Sequence, residues 1–256
     1  MSGHSKWKKI KRQKGIADIK KGNIFTKLAQ SITIAVREGG GGVPNMNFLL
    51  RLAVDKAKSE NMPKDNIERA IKKGLGLSEK GGQLESVTYE VIGSEGIALL
   101  VDCLTDNKNR TISDIRNVIT KRGFHIGGGS LMWQFETLGK IVISPSKIIE
   151  TIEKGRKLDK LEKIENEDLI LEIMDWIGVK DVEDLEDEIN IITTKEDFKA
   201  IYNKVSDSKY KIEKAEIIKL PKSKVEIKGS LSKVKETITE LEDLDDVVAI
   251  WTNVNL

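Results

Sequence analysis

Hydrophobic periodicity changes character once along this 256-residue chain, at Gly74. Before that glycine, apolar residues recur at helical spacing. After it they come in strand-length runs separated by turn residues and amphipathic stretches. That order predicts a helical head followed by α+β architecture, with small antiparallel sheets backed by helices.

In the head, Ile24, Leu28, Ile32, Ala35 and Val36 fall on one helical face, and Gly39 to Gly42 followed by Pro44 end that helix. A second helix is predicted over 47–59, with Phe48, Leu49, Leu52, Ala53 and Ala57 as its apolar stripe. Pro63 opens a third, carrying Ile67, Ala70 and Ile71, and Gly74 supplies a left-handed stop. Short connections between the three make a three-helix bundle.

A glycine-rich linker over 75–83 leads into strands at 87–92 and 97–104, joined by a Gly93-Ser94-Glu95-Gly96 turn. Thr111 with Asp114 resembles a capping box and starts a helix closed by Gly123. Strands are expected at 130–136 and 140–143, a helix at 146–155, and a charged, loosely packed stretch at 156–166. Then come a helix at 168–177, a strand at 188–193, a helix at 195–206 and a strand at 210–220. A short strand at 225–227, a helix at 231–241 and a strand at 247–252 end the chain. The first sheet lacks a helix and a closing strand, which 222–256 supply. The expected organisation is therefore three domains: a basic arm and helical domain at 1–80, a discontinuous α+β domain at 81–137 plus 222–256, and an inserted α+β domain at 138–221.

Charge follows the same division. Residues 1–80 hold 18 Lys and Arg against 7 Asp and Glu, a net of +11, and the remaining 176 hold 25 against 34, a net of −9. The whole-chain value of +2 hides this polarity. A basic head on an acidic body points to a polyanion partner for the head, most often nucleic acid. Lys6, Lys8, Lys9, Lys11, Arg12, Lys14, Lys20, Lys21 and Lys27 share their span with one acid, Asp18. Backbone phosphates need such a rail without fixed spacing. His4 and Trp7 lie in the arm; Trp7 stacks on a base, inserts in a groove or folds back on the bundle. Lys64, Arg69, Lys72 and Lys73 surround the third helix's stripe, where they extend the arm's surface or form a solvated face with Glu68. Asn107, Asn109 and Arg110 sit in a polar strand-to-helix loop that serves turn chemistry or offers contacts.

Several function classes are excluded on residue grounds. His4, His125 and the lone Cys103 make no plausible zinc set, and no cofactor is expected. Cys103 lies in an apolar strand and reads as an inert core thiol; a single cysteine fits a reducing cytosol. Gly127-Gly128-Gly129-Ser130 precedes a strand and lacks the Lys of a phosphate loop, so it reads as a turn. No catalytic constellation emerges, and the chain reads as non-enzymatic. No segment is long and apolar enough to span a bilayer, and the basic N-terminus lacks the apolar core of a signal peptide.

The arm also carries a resemblance. Gly3-His4-Ser5-Lys6-Trp7, Ile10-Lys11 and Lys14 resemble the opening of the YebC/PmpR family. The likeness runs on through Ile24-Phe25-Thr26-Lys27-Leu28, Arg37-Glu38-Gly39-Gly40 and Leu52 to Lys58. It is densest at Asn61-Met62-Pro63-Lys64-Asp65-Asn66-Ile67-Glu68-Arg69-Ala70-Ile71-Lys72-Lys73-Gly74. It returns at Cys103 to Asn107, Asn109 to Thr111 and Leu241 to Val247. Residues from about 145 to 180 look longer than the family's usual link into its third domain. The resemblance implies a helical N-terminal domain and two α+β domains, the third inserted in the second. It also implies no catalysis. Members are assigned as cytoplasmic transcriptional regulators that bind DNA; others, including mitochondrial relatives, act in translation at the ribosome on difficult sequences such as proline runs.

Two roles follow for the head. In one it holds DNA for transcriptional regulation, although no helix presents an evident set of Arg, Asn or Gln for base edges. In the other it binds ribosomal RNA or tRNA, where shape recognition needs no base code. The acidic domains would meet ribosomal or other proteins. A cytoplasmic location is expected, with no membrane partner.

Overall fold

The computed structural model describes residues 24–77, 84–153, 156–185, 187–227, 229 and 231–256. The protein is α+β, with helices first and two antiparallel sheets after them. The chain divides into two compact units, one holding residues through Trp133 with Ser223–Leu256, the other Gln134–Lys222.

Among the described residues, the first unit opens with helix α1, helical over 24–38, followed by α2 (Phe48–Ser59) and α3 (Lys64–Gly74). Leu28, Ile32 and Val36 of α1 meet Leu50, Val54 and Ala57 of α2 and Ile67 and Ala70 of α3 in one core. The α2 stripe is thus phased differently from the sequence reading: Leu50 and Val54 are buried, while Phe48 and Leu52 are only half-buried. Residues 48–54 are apolar almost throughout, so spacing alone cannot choose the face; docking does.

Asn47 fixes the α1–α2 corner. Its Oδ1 accepts from Leu50 N at 3.0 Å, and its Nδ2 donates to Ala35 O at 2.7 Å and Gly41 O at 2.8 Å. A Cβ on Gly39 would stand 2.0 Å from that Oδ1, so only glycine fits there. Thr33 bridges α1 and α3 by donating to Ala29 O and Ala70 O. Gly74 is not the left-handed stop. It ends α3 against Val36 and the Thr33 carbonyl, and Gly76 takes the positive φ of 74°.

The first sheet runs β3-β1-β2-β9, with β1 at Glu85–Ile92, β2 at Ala98–Thr105, β3 at His125–Ile126 and β9 at Val247–Thr252. Leu99, Val101 and Cys103 face helices α4 (Lys108–Thr120) and α7 (Leu231–Glu242). The chain's return thus closes this sheet, with β9 antiparallel to β2. The expected strand at 225–227 is a single bridge, Val225 to Val254. Helix α4 starts one turn before the predicted Thr111 cap. Asn107 Oδ1 accepts from Asn109 N and Arg110 N at 3.1 Å each, while the Thr111 hydroxyl is taken by Asp246.

The triple-glycine turn holds an anion, and that anion belongs to the protein. The buried Glu90 carboxylate accepts from Ser130 N, Leu131 N and Met132 N at 2.7–3.0 Å. Residues 130–134 are consequently a turn and one 3₁₀ segment rather than the expected strand.

In the second unit β4 (Phe135–Glu153) is the spine. Its first half pairs with both β7 (Ile189–Thr194) and β8 (Tyr210–Pro221), and its second half pairs with β5 (Arg156–Lys163). The expected helix at 146–155 and loose segment after it are therefore a β-hairpin. Strand β6 (Val179–Asp184), which the sequence reading missed, flanks β7. Helices α5 (Asn166–Met174) and α6 (Phe198–Asp207) bury Leu169, Ile173, Phe198, Ile201 and Val205. Gly139 leaves room for Phe198 close against the sheet: a Cβ there would meet its ring at 2.3 Å.

Candidate nucleic-acid interface

Helix α3 buries Ile67 and Ala70 and turns its cations outward. Lys64, Arg69, Lys72 and Lys73 are all exposed. Lys64 lies 3.7 Å from Glu68, a helix-turn pair with little hold in water. Arg69 donates to Asp65 O and to the Asn66 side chain, which aligns its guanidinium along the helix. Lys72 and Lys73 have no acidic partner among the described residues.

Arg69, Lys72 and Lys73 stand on the rim of a groove of about 500 Å³. Phe25, Ala29 and Thr33 of α1, Met62, Ala70, Leu77 and Leu104 of β2 line it, with Thr26, Gln30 and Asn66 as polar groups. A recess of about 230 Å³ shares Thr26, Gln30, Lys73 and Leu104 with it and reaches Asp106, Arg110, Asp245 and Asp246. Gln30 Oε1 is buried there without a hydrogen-bond partner among the described residues. Cations over an apolar floor suit a phosphate with its attached sugar or base.

The other predicted site residues divide. His4, Lys6, Trp7, Lys8, Lys9, Lys11, Arg12, Lys14, Lys20 and Lys21 lie outside the described residues. Lys27 is described and is engaged by the fold: its Nζ donates to Val247 O at 3.0 Å. Burial lowers its pKa against the opposing pull of Glu242, Asp243 and Asp245. Beside it the Gln30 amide donates to Asp245 O, so α1 is docked on the acidic turn before β9.

Asn107 is the α4 cap, and Arg110 is held by that same turn. Asp246 accepts from Arg110 Nη2 at 3.0 and 3.1 Å, from Thr111 Oγ1 at 2.7 Å and from Thr105 Oγ1 at 3.2 Å; Arg110 also pairs with Asp106 at 3.1 Å. The hydrogen bond to Asp246 is the main cause that raises the Arg110 pKa. Of the three loop candidates only Asn109 is left exposed with no side-chain partner of this kind. Thr26 and Gln30, polar residues of the groove on α1, are not among the predicted site residues, although their four-residue spacing places them on one helical face.

No group of His, Cys, Asp and Glu among the described residues could hold a metal ion, and no described helix is long and apolar enough to cross a membrane. Burial beside Asp102 and Asp246 pushes the Cys103 thiol up to about 12.

Comparison with known proteins places these elements in a family. Residues 5–77 match the model for the TACO1/YebC protein N-terminal domain, and residues 84–254 match that for the TACO1/YebC second and third domain. A probable transcriptional regulatory protein of Desulforapulum autotrophicum is 42% identical, covering 100% of this chain and 97% of that protein. One from Dictyoglomus thermophilum is 41% identical, covering 100% and 96%. The crystal structure of a conserved hypothetical protein from Aquifex aeolicus superimposes with a TM-score of 0.75 at 35% identity, over 91% of this chain and 90% of that one.

Proposed function

The chain belongs to the TACO1/YebC family, and on that premise we propose that it is a non-enzymatic regulator of gene expression whose N-terminal region holds nucleic acid by its phosphates. The exposed cation face of α3 beside the apolar groove carries this reading. The reading extends to the basic arm, whose cations from Lys6 through Lys21 supply further phosphate contacts. Relatives are named probable transcriptional regulatory proteins; regulation of transcription is the role this reading assigns, with DNA as the nucleic acid and the cytoplasm as the setting.

A second reading rests on a specific observation. The described side chains that could read base edges are largely engaged by the fold: Asn66 with Arg69, Asn107 as a cap, Arg110 with Asp246, Asn47 in the α1–α2 corner. Cations without base readers favour recognition of backbone and shape, which suits structured RNA at the ribosome as well as duplex DNA.

Gradient sedimentation of cell extracts separates the two. The wild type and an Arg69→Glu/Lys72→Glu/Lys73→Glu variant would be followed at low and moderate salt. Salt-sensitive migration with ribosomes, lost in the variant, supports the RNA reading. Free migration, with promoter-selective DNA binding at physiological salt, supports the DNA reading. Equal behaviour of wild type and variant on both nucleic acids would remove the α3 face from the account.

A further inference from the structure

Helix α5 has completed its docking yet still exposes apolar surface. Leu169, Ile173 and Trp176 are buried, but Leu171 and Met174 stand 67% and 58% exposed, and Ile177 97%. Single exposed apolar residues are ordinary. Three within seven positions form a patch, and such patches mark contact sites. Leu171 and Met174 are one turn apart on the same helix face.

Ile177 is presented by a stiff turn rather than a loose one. Trp176 N donates to Ile173 O at 3.0 Å and Val179 N to Trp176 O at 3.1 Å. Gly178, at φ 98°, backs onto Asp197, where a Cβ would meet that side chain at 2.6 Å. Asp197 is itself tied to Thr194 by two hydrogen bonds.

The surroundings select the occupant. Residues 164–188 contain eleven acids and one basic residue, Lys180, and that lysine is paired with Glu136. Lys204 sits over the Trp176 ring at 4.3 Å and is likewise engaged. Tyr210 donates to Glu172 at 2.7 Å, while Glu167, Asp168 and Asp175 stay exposed on α5 and its cap. Phosphates of nucleic acid or anionic lipid are repelled by such a field, and a second copy of the same patch would set acid against acid.

We propose that the α5 face, centred on Leu171, Met174 and Ile177, docks a basic amphipathic segment of a partner protein. Its apolar residues cover the patch and its Lys or Arg meet the surrounding carboxylates. This surface lies in the second unit and does not depend on the nucleic-acid reading of α3.

The test titrates the isotopically labelled full chain with an 18-residue helical peptide of Lys and Leu at three- and four-residue spacing. A matched peptide with Glu in place of Lys is the control. Amide shifts should concentrate at 166–178 with the Lys peptide and be absent with the Glu peptide. Affinity should fall at least tenfold in Leu171→Ser/Met174→Ser/Ile177→Ser. In Glu167→Gln/Asp168→Asn/Asp175→Asn it should fall severalfold and lose salt dependence. Because all six side chains are exposed, both variants should melt like the wild type. Undiminished binding by the serine variant, or shifts spread evenly over the acidic surface, overturns the proposal. So does self-association of the wild type that the serine variant abolishes, which would assign the patch to a second copy.

Discussion

Asn47 shows how much one side chain sets in this fold. It caps α2, ties down the end of α1 and leaves room only for glycine at position 39. Asn47→Ala should cost on the order of 2 kcal/mol, the sum of a lost cap and buried carbonyls left unpaired. Gly39→Ala should cost about 1–3 kcal/mol through overpacking. Alanine at 47 removes the atom that the new Cβ strikes, so the double variant should lose clearly less than the two single losses combined in chemical denaturation. Cys103 gives a second residue-scale prediction. With its pKa at about 12, the native thiol carries roughly a thousandfold less thiolate at pH 8 than a free cysteine. A disulfide reagent should label it only on unfolding; rapid labelling of the folded protein would contradict its placement. Both residues were partly legible. Cys103 reads as a core thiol from its apolar strand, whereas Asn47 reads only as a helix start, because its bonds to Ala35 and Gly41 exist only once the corner is folded.

Elements are where sequence and structure part. The helices of the head and the β1–β2 hairpin are plain in the periodicity, since each has turn residues at both ends. The second half of β4 misleads because Ile148, Ile149 and Ile152 match helical spacing, and the charged run at 156–163 shows no alternation. Pairing of β4 with β5 decides the matter, and such long-range pairing overrides local pattern. The groove was hidden for a related reason. Its cations on α3 can be counted in the sequence, but its floor joins α1 to Leu104, far apart along the chain. Lys27 and Arg110 look equally cationic on paper and are held by Val247 and Asp246. The α1–α3 contact supplies the element-scale prediction. In Gly74→Ala the new Cβ meets Val36 at 2.7 Å and the Thr33 carbonyl at 3.0 Å. Stability should drop by about 1–3 kcal/mol, and nucleic-acid affinity should fall with it as the groove is pried open. Unchanged affinity in a variant that melts early would separate the groove from binding.

At the scale of the whole molecule, the change of charge falls within the first unit, between the helices and the first sheet. The net +11 of residues 1–80 sits with the helical head and the net −9 with the rest. The Val247 and Asp245 carbonyls hold Lys27 and Gln30 of the head, while the Asp246 carboxylate holds Arg110 of α4, so one acid of the excess serves internal docking. Eleven further acids lie within residues 164–188, the stretch that carries α5 and its exposed apolar side chains. We propose above all that the head binds nucleic acid through phosphates, with α3 contributing. The most direct measurement is the salt dependence of affinity for duplex DNA and for structured RNA, taken on the full chain and on Arg69→Glu/Lys72→Glu/Lys73→Glu. With about five phosphate contacts, the wild type should show a log–log slope of about −4.5 on duplex DNA, and the variant a slope shallower by roughly 2–3 units. A slope near zero in the wild type, or the same slope in both proteins, would contradict the claim.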